Sequence, residues 1–424
     1  MKPEPSFYEL TPEYAARADI EDPLSGFRER FNFPRTENDG DAVYFTGNSL
    51  GLQPKTAASY VQQEMDDWAT LAVDAHLKAR NPWLPYHEFV TEPMSRVVGA
   101  QPIETVMMNS LTVNLHLLLV SFYRPTTDRY KIVIEKGAFP SDRYAVVSQL
   151  KFHDREAGLI EISPREGEST LRTEDIVETI EREGSQIALI LLGGVNYYTG
   201  QAFDMKAITE AGHKFGCIVG FDCAHAAGNL ELKLHDWNVD LAAWCGYKYL
   251  NGGPGTVGGV FVHERHATSF GLPRFAGWWG HNKETRFLMG PEFSPLAGAE
   301  GWQISNPPIL QLAAMRASLE IFDRATMPAL RAKSEKLTGY LQFLLDQIGN
   351  DKVMVITPRD PAHRGCQLSI RVKNADKNLF SAITRRGVFA DWREPDVIRV
   401  APAPLYNSFT DVFRFSRILA SSLG

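Results

Sequence analysis

Leu241–Gly259, LAAWCGYKYLNGGPGTVGG, carries the densest set of structural signals in this chain. It begins as a short apolar run, Leu241 to Cys245, with the length and bounds of a buried strand. Lys248 follows between Tyr247 and Tyr249, and Gly252 to Gly259 holds five glycines and a proline. A lysine leaving a strand beside a compact glycine-rich turn is held against something small and polar. A solvated surface lysine rarely has Trp244, Tyr247, Tyr249 and so much glycine as neighbours.

Just upstream, Cys217–Asn229 reads CIVGFDCAHAAGN: an apolar strand that ends in Asp222, with His225 three residues on. In an α/β sheet, an acid at the carboxyl end of a strand lies where ligands bind. An aspartate, a nearby histidine and a lysine on the next strand form a kit that fits pyridoxal phosphate (PLP). The lysine bonds to the cofactor aldehyde, and the aspartate keeps the pyridine nitrogen protonated so that the ring draws electrons from a substrate carbanion.

FDCAHAAGN followed by GYKYLNGGPG resembles the kynureninases, PLP enzymes of fold type I. The resemblance runs in order through GNSLGLQP (Gly47–Pro54), NSLTVNLHLLL (Asn109–Leu119), FPSDRYA (Phe139–Ala145), GVNYYTGQ (Gly194–Gln201), GWWGH (Gly277–His281), ISNPPI (Ile304–Ile309) and VIRVAPAPLYNS (Val397–Ser408). It implies hydrolysis of L-kynurenine, and of its 3-hydroxy form, to anthranilate or 3-hydroxyanthranilate and L-alanine. It also implies Lys248 as the Schiff-base lysine and proton shuttle, Asp222 as the ring-nitrogen partner and His225 as a ring-orienting group. Leu111, Thr112 and Tyr247 would hold the phosphate, Phe139 would stack on the ring, and Asp142 would belong to the cofactor shell. Trp278 and Asn306 match further cofactor-proximal positions, which in this fold type come from the second subunit of a homodimer. Arg399 matches the arginine that grips the substrate α-carboxylate, with His76 and Asn306 also on the substrate side. A planar guanidinium forks onto a carboxylate through two parallel bonds. Charge alone does not choose among Arg371, Arg393 and Arg399; the Ile-Arg-Val-Ala-Pro frame selects Arg399. Gly193 departs from the pattern, since some relatives carry a serine there.

With 424 residues the chain exceeds one ordinary domain, and 44% apolar with 22% charged residues is the composition of a globular protein. A net charge of −7 argues against a nucleic-acid partner, while leaving room for one locally positive pocket. No apolar run is long enough for a membrane span, and MKPEPSFYEL lacks the basic head and apolar run of a signal peptide. Cys217, Cys223, Cys245 and Cys366 show neither disulfide nor zinc spacing, so the cytoplasm is the expected compartment. His263-Glu264-Arg265-His266 looks like a metal pair without further ligands, and no metal is expected.

Alternating strand and helix patterns between Glu104 and Val262 predict an α/β fold: a mostly parallel seven-stranded sheet between helices, as in PLP fold type I. Two long helices are expected at Pro307–Ala325 and Met327–Ile348, followed by an α+β pattern to Leu419. The expected division is an N-terminal arm at 1–45, a large cofactor-binding domain at 46–306 and a small C-terminal domain at 307–424. Ala75–Tyr86, rich in His, Arg, Trp and Pro, is expected to be a functional loop.

Overall fold

The computed structural model describes residues 8–37, 40–349, 351–373 and 375–423, so the first seven residues of the expected arm lie outside the described part. A seven-stranded sheet forms the centre. Its spatial order is Thr105–Met107, Gly259–Val262, Leu241–Trp244, Ile218–Asp222, Ile187–Gly193, Lys131–Glu135 and Leu159–Ile162. Only Gly259–Val262 runs antiparallel to its neighbours; the rest are parallel to one another, as expected.

The sheet is apolar on both faces because both are covered. Along Lys131–Glu135, Val133 joins one core while Ile132 and Ile134 join the other. Helices Leu111–Phe122 and Pro140–Phe152 cover one side through Leu115, Leu118, Val146 and Leu150. Helices Glu88–Val98, Thr173–Glu183, Met205–Lys214 and Ile309–Ala325 cover the other through Val90, Ile176, Ile208 and Leu312. The long helix Ile309–Ala325 therefore gives its buried face to the large core.

A second, four-stranded antiparallel sheet in the order Val353–Val355, Leu368–Val372, Val397–Val400, Asp391–Arg393 makes up the C-terminal unit. Helices Met327–Asp346 and Phe409–Ser422 share its core, which also takes in Val43 and Phe45. The arm helix Pro12–Glu21 docks here: Asp19 accepts the Phe409 and Thr410 amides at 2.6 and 3.1 Å, capping the last helix. Asp22 and Lys333, both buried, pair at 2.7 Å.

Three local readings change. Glu88–Val98 is a helix that the sequence does not announce, because Pro93 sits inside it. Gln53–Pro54, the end of the GNSLGLQP motif that reads as a turn, is a short strand that pairs with Phe31–Asn32. Ala75–Lys78 is a single helical turn within the expected loop. Among the described residues no helix is long and apolar enough to cross a membrane.

Candidate active site

Glu135, Gly193 and Asp222 close three neighbouring parallel strands and so lie along one edge of the sheet. Lys248 reaches the same edge from the turn just beyond Leu241–Trp244. That turn must be tight. A β-carbon at Gly246 would stand 2.3 Å from the Val257 carbonyl, and one at Gly259 would stand 2.3 Å from the Trp244 indole. Helix Leu111–Phe122 enters from the side with its N-terminus toward the edge; Ser110 makes no side-chain cap, which leaves its first-turn amides for another acceptor.

These elements enclose a cavity of about 160 Å³. Leu111, Thr112, Phe139, Asp142, Asp222, His225, Tyr247 and Lys248 all line it, so eight of the expected site residues meet in one place. Lys248 is 9% exposed, and its Nζ lies 3.0 Å from His225 Nε2. It also lies 5.8 Å from the Phe139 ring centre and 5.9 Å from that of Tyr247. Burial, reinforced by the charges of Lys248, Arg399 and Arg393, holds His225 well below the usual histidine range. Neutral His225 accepts from the lysine through Nε2, and its buried Nδ1 has no partner.

The acids are under opposite pressure. Asp222 accepts the Ala224 amide at 2.7 Å, yet burial raises its carboxyl above the ordinary range. Burial, then the charge of Asp222, lifts Asp142 well above the ordinary range, and its Oδ1 has no partner. Burial also pushes Glu135 up to about 7. An excess of buried acid that lacks a matching cation, a buried amine and uncapped helix amides suit a ligand with a protonatable ring nitrogen, an aldehyde and a phosphate. The side chains present fit PLP on these grounds.

The remaining expected residues stand elsewhere. Arg399 is 1% exposed and sits behind Tyr197, 6.0 Å from its ring centre, rather than on the cavity wall. Its Nη1 donates to the Tyr197 carbonyl at 2.5 Å, its Nη2 pairs with Asp391, and its buried Nε has no partner. Trp278 is half exposed, donates to the Arg286 carbonyl at 3.1 Å and lines a separate shallow pocket. Asn306 is exposed in a cleft that shares Ser110 with the Lys248 cavity. His76 lies outside both, with Nδ1 3.0 Å from the Val73 carbonyl and its ring edge-on to Trp83.

Sequence reasoning missed Glu135, Ser141 and Tyr197 on the cavity wall and Asp391 beside Arg399. Glu135 had a signal: it ends the apolar run KIVIE as Asp222 ends IVGFD. The expectation that nothing adds ligands to His263 also changes, since Glu104 and His235 lie beside it. Those groups satisfy one another: His235 meets Glu104 at 2.9 Å, and His263 Nδ1 accepts the Arg265 amide at 3.2 Å.

Comparison with known proteins agrees with this geometry. Among solved structures, a mutant of C-DES with glycine covalently linked to its PLP cofactor matches at TM-score 0.76 and 16% identity, covering 92% of this chain and 98% of that one. The cysteine desulfurase CsdA from Escherichia coli matches at TM-score 0.76 and 15% identity, over 94% and 98%. At such identities the likeness is one of fold, the fold type I architecture. Sequence relatives are far nearer. The kynureninase of Koribacter versatilis is 60% identical over 98% of this chain and 99% of its own, and that of Myxococcus xanthus is 60% identical over 98% of each. The family model described as "Kynureninase C-terminal domain" matches residues 330–419. A chain this similar from end to end to those two proteins belongs to the kynureninase family.

Proposed function

We propose that this protein is a PLP-dependent hydrolase that cleaves L-kynurenine, and 3-hydroxy-L-kynurenine, to anthranilate or 3-hydroxyanthranilate and L-alanine. The observation that carries the reading is the Lys248–His225–Asp222–Asp142 cluster in one cavity, in a chain 60% identical to kynureninases along its length. When bound, PLP supplies an electron sink for the substrate carbons next to the amino group. Leu111, Thr112 and Tyr247 are the groups that would hold its phosphate, Phe139 would cover its ring, and Asp222 would keep the ring nitrogen protonated.

The chain's own residues then have separate tasks. Arg399 grips the α-carboxylate and fixes the orientation of the Cα–H bond; its unpartnered Nε is the donor still available for that grip. Lys248 takes the Cα proton, and neutral His225 at 3.0 Å receives a hydrogen bond from the amine and holds it in place. Water adds to the γ-carbonyl of the substrate, and the Cβ–Cγ bond breaks.

The same reading divides the chain into an arm at 1–45, a large unit at 46–306 and a C-terminal unit at 307–424, with helix Met327–Asp346 reaching into both cores. It takes the active form to be a cytoplasmic homodimer whose second copy brings Trp278, Asn306 and His76 toward the cavity. Exposed Trp278, Phe287, Leu288 and Met289 suit such a contact, and four free, buried cysteines suit a reducing compartment.

A cysteine desulfurase on this fold would need a reactive thiolate. Cys366, the candidate outside the large sheet, is fully buried and its thiol is pushed up to about 12 by burial, which disfavours that alternative.

The test is incubation of purified, PLP-loaded protein with L-kynurenine, following anthranilate fluorescence and L-alanine. The protein should be yellow, and borohydride should fix the cofactor on Lys248. A protein that stays colourless with added PLP, or that binds PLP and releases no anthranilate, overturns the proposal.

A further inference from the structure

The loop that follows Gly193 is a seam between the large and C-terminal units. On one side its carbonyls face the C-terminal unit. The Tyr197 carbonyl accepts from Arg399 Nη1 at 2.5 Å and from Gln367 Nε2 at 3.1 Å. The Tyr198 carbonyl accepts from Ser369 Oγ and the Thr199 carbonyl from Thr357 Oγ1, each at 2.5 Å. Three successive carbonyls are thus bound to the unit that carries Arg399. Cys366 and Gln367 also reach the large unit, through Asn229 and Asn48, but of these contacts only the Tyr197 bond touches the guanidinium itself.

On the other side the loop is held by Glu135. The Gly193 amide faces both carboxyl oxygens, at 3.3 and 3.4 Å. Asn196 Oδ1 accepts the Tyr198 and Thr199 amides at 3.0 Å each, which ties the loop to itself beyond that anchor. Glu135 is 4% exposed, and a β-carbon at Gly193 would stand 3.1 Å from its Oε1, so the glycine lets the carboxyl close on the backbone.

We propose that Glu135 is a positioning residue: through the Gly193–Thr199 backbone it sets where the C-terminal unit holds Arg399 relative to the Lys248 cavity. The proposal builds on the role of Arg399 given above. Glu135 is a buried carboxyl on the cavity wall whose observed bonds are spent on the loop.

The experiment compares Glu135→Ala, Glu135→Gln and Ser369→Ala with the parent in the full-length holoenzyme. Glu135→Ala should raise KM for L-kynurenine about tenfold, while kcat and PLP affinity, read by tryptophan quenching, change less than about threefold. Amide exchange over residues 194–201 should quicken about tenfold or more, with Ile218–Asp222 unchanged. Glu135→Gln, which keeps an acceptor for the Gly193 amide, should restore both. Ser369→Ala cuts the seam from the other side and should also raise KM alone. A parental KM in Glu135→Ala overturns the proposal, as does a rise in KM accompanied by equal losses of kcat and PLP affinity that glutamine does not rescue. If Glu135→Ala does not fold, a parental KM in Ser369→Ala overturns it. A parent that never releases anthranilate defeats the functional reading instead, and the exchange data then test the seam by themselves.

Discussion

Asp222 and Asp240 are both buried aspartates at the ends of neighbouring strands, and they differ in everything that surrounds them. Asp240 precedes Leu241–Trp244 at one edge of the sheet. It meets His213 Nε2 at 2.9 Å, His266 Nε2 at 2.8 Å, Arg265 Nη2 at 2.6 Å and the Val219 amide at 2.8 Å. Burial works to raise its carboxyl, but the two histidines, the arginine and the amide outweigh it and hold the group below the ordinary range. Asp222, at the opposite edge, has only the Ala224 amide, Asp142 and Lys248 to set against burial, and burial wins. One edge of the sheet supplies its own cations and is finished. The other keeps an acid whose counterpart is missing from the chain, which is the signature of a site built for a cationic ligand rather than for stability.

Exchanging each acid for alanine would break this contrast most sharply. Asp222→Ala should lower kcat/KM for L-kynurenine by about a hundredfold or more, the loss of one charge-assisted pair of about 3 kcal/mol. The apoprotein should be no less stable, because an ill-solvated acid has gone. Asp240→Ala should do the reverse, costing about 3–5 kcal/mol in urea unfolding by leaving Arg265 and two histidines uncompensated, with kcat/KM close to the parent. A destabilised Asp222 variant, or an Asp240 variant that folds normally and loses turnover, would erase the distinction.

Arg399 sharpens the same comparison on the cation side. Its cost of burial is already met in part by Asp391 and the Tyr197 carbonyl, so its spare Nε is what function adds. Arg399→Lys keeps charge but loses the Nε donor and the planar group that Asp391 and the Tyr197 carbonyl hold in place, and should reduce kcat/KM about tenfold to hundredfold. Arg371 lies two residues beyond Ser369 on the same strand, partly exposed and 3.5 Å from Asp396. Arg371→Ala should leave the kinetics near the parent. Collapse of the Arg371 variant in place of the Arg399 variant would reverse the assignment.

Most of the architecture was legible because apolar runs ended by Gly, Asp or Asn are hard to read as anything but buried strands. The apolar strand that ends in Asp222 is observed at Ile218–Asp222, and the run Leu241 to Cys245 at Leu241–Trp244. Glu88–Val98 escaped because an internal proline outweighs periodicity in any reading from propensity. In the site, residues next to a motif were found and residues that answer a motif from a distant strand were not. Lys248, Asp222 and His225 share one short segment pair, whereas Asp391 reaches Arg399 only through strand pairing. Glu135 was readable by the same rule as Asp222, an acid closing an apolar strand, and only the tertiary fold tells the two apart: Glu135 faces the Gly193 amide and Asp222 the cavity. Trp278, Asn306 and His76 do not line the Lys248 cavity within one chain.

The finest test of the contrast is the pH dependence of stability without cofactor. Burial raises Glu135 from 4.5 to about 7, so between those values the folded protein binds more protons than the unfolded chain. The stability linked to its protonation is complete below the ordinary glutamate value and is lost as pH rises through about 7. Asp142 and Asp222 are raised as well and act in the same direction. Asp240 is lowered, so its contribution holds across this window and is lost only in strong acid. The apoprotein should therefore lose stability from about pH 5 to about pH 7, and Glu135→Gln should remove on the order of 1–3 kcal/mol of that fall. Urea midpoints at the two pH values, for the parent and for Glu135→Gln, measure it. Parallel profiles for the two proteins would mean that Glu135 is already ionised at pH 5 in the folded state, and that the cavity edge is as well supplied with counter-charge as the Asp240 edge.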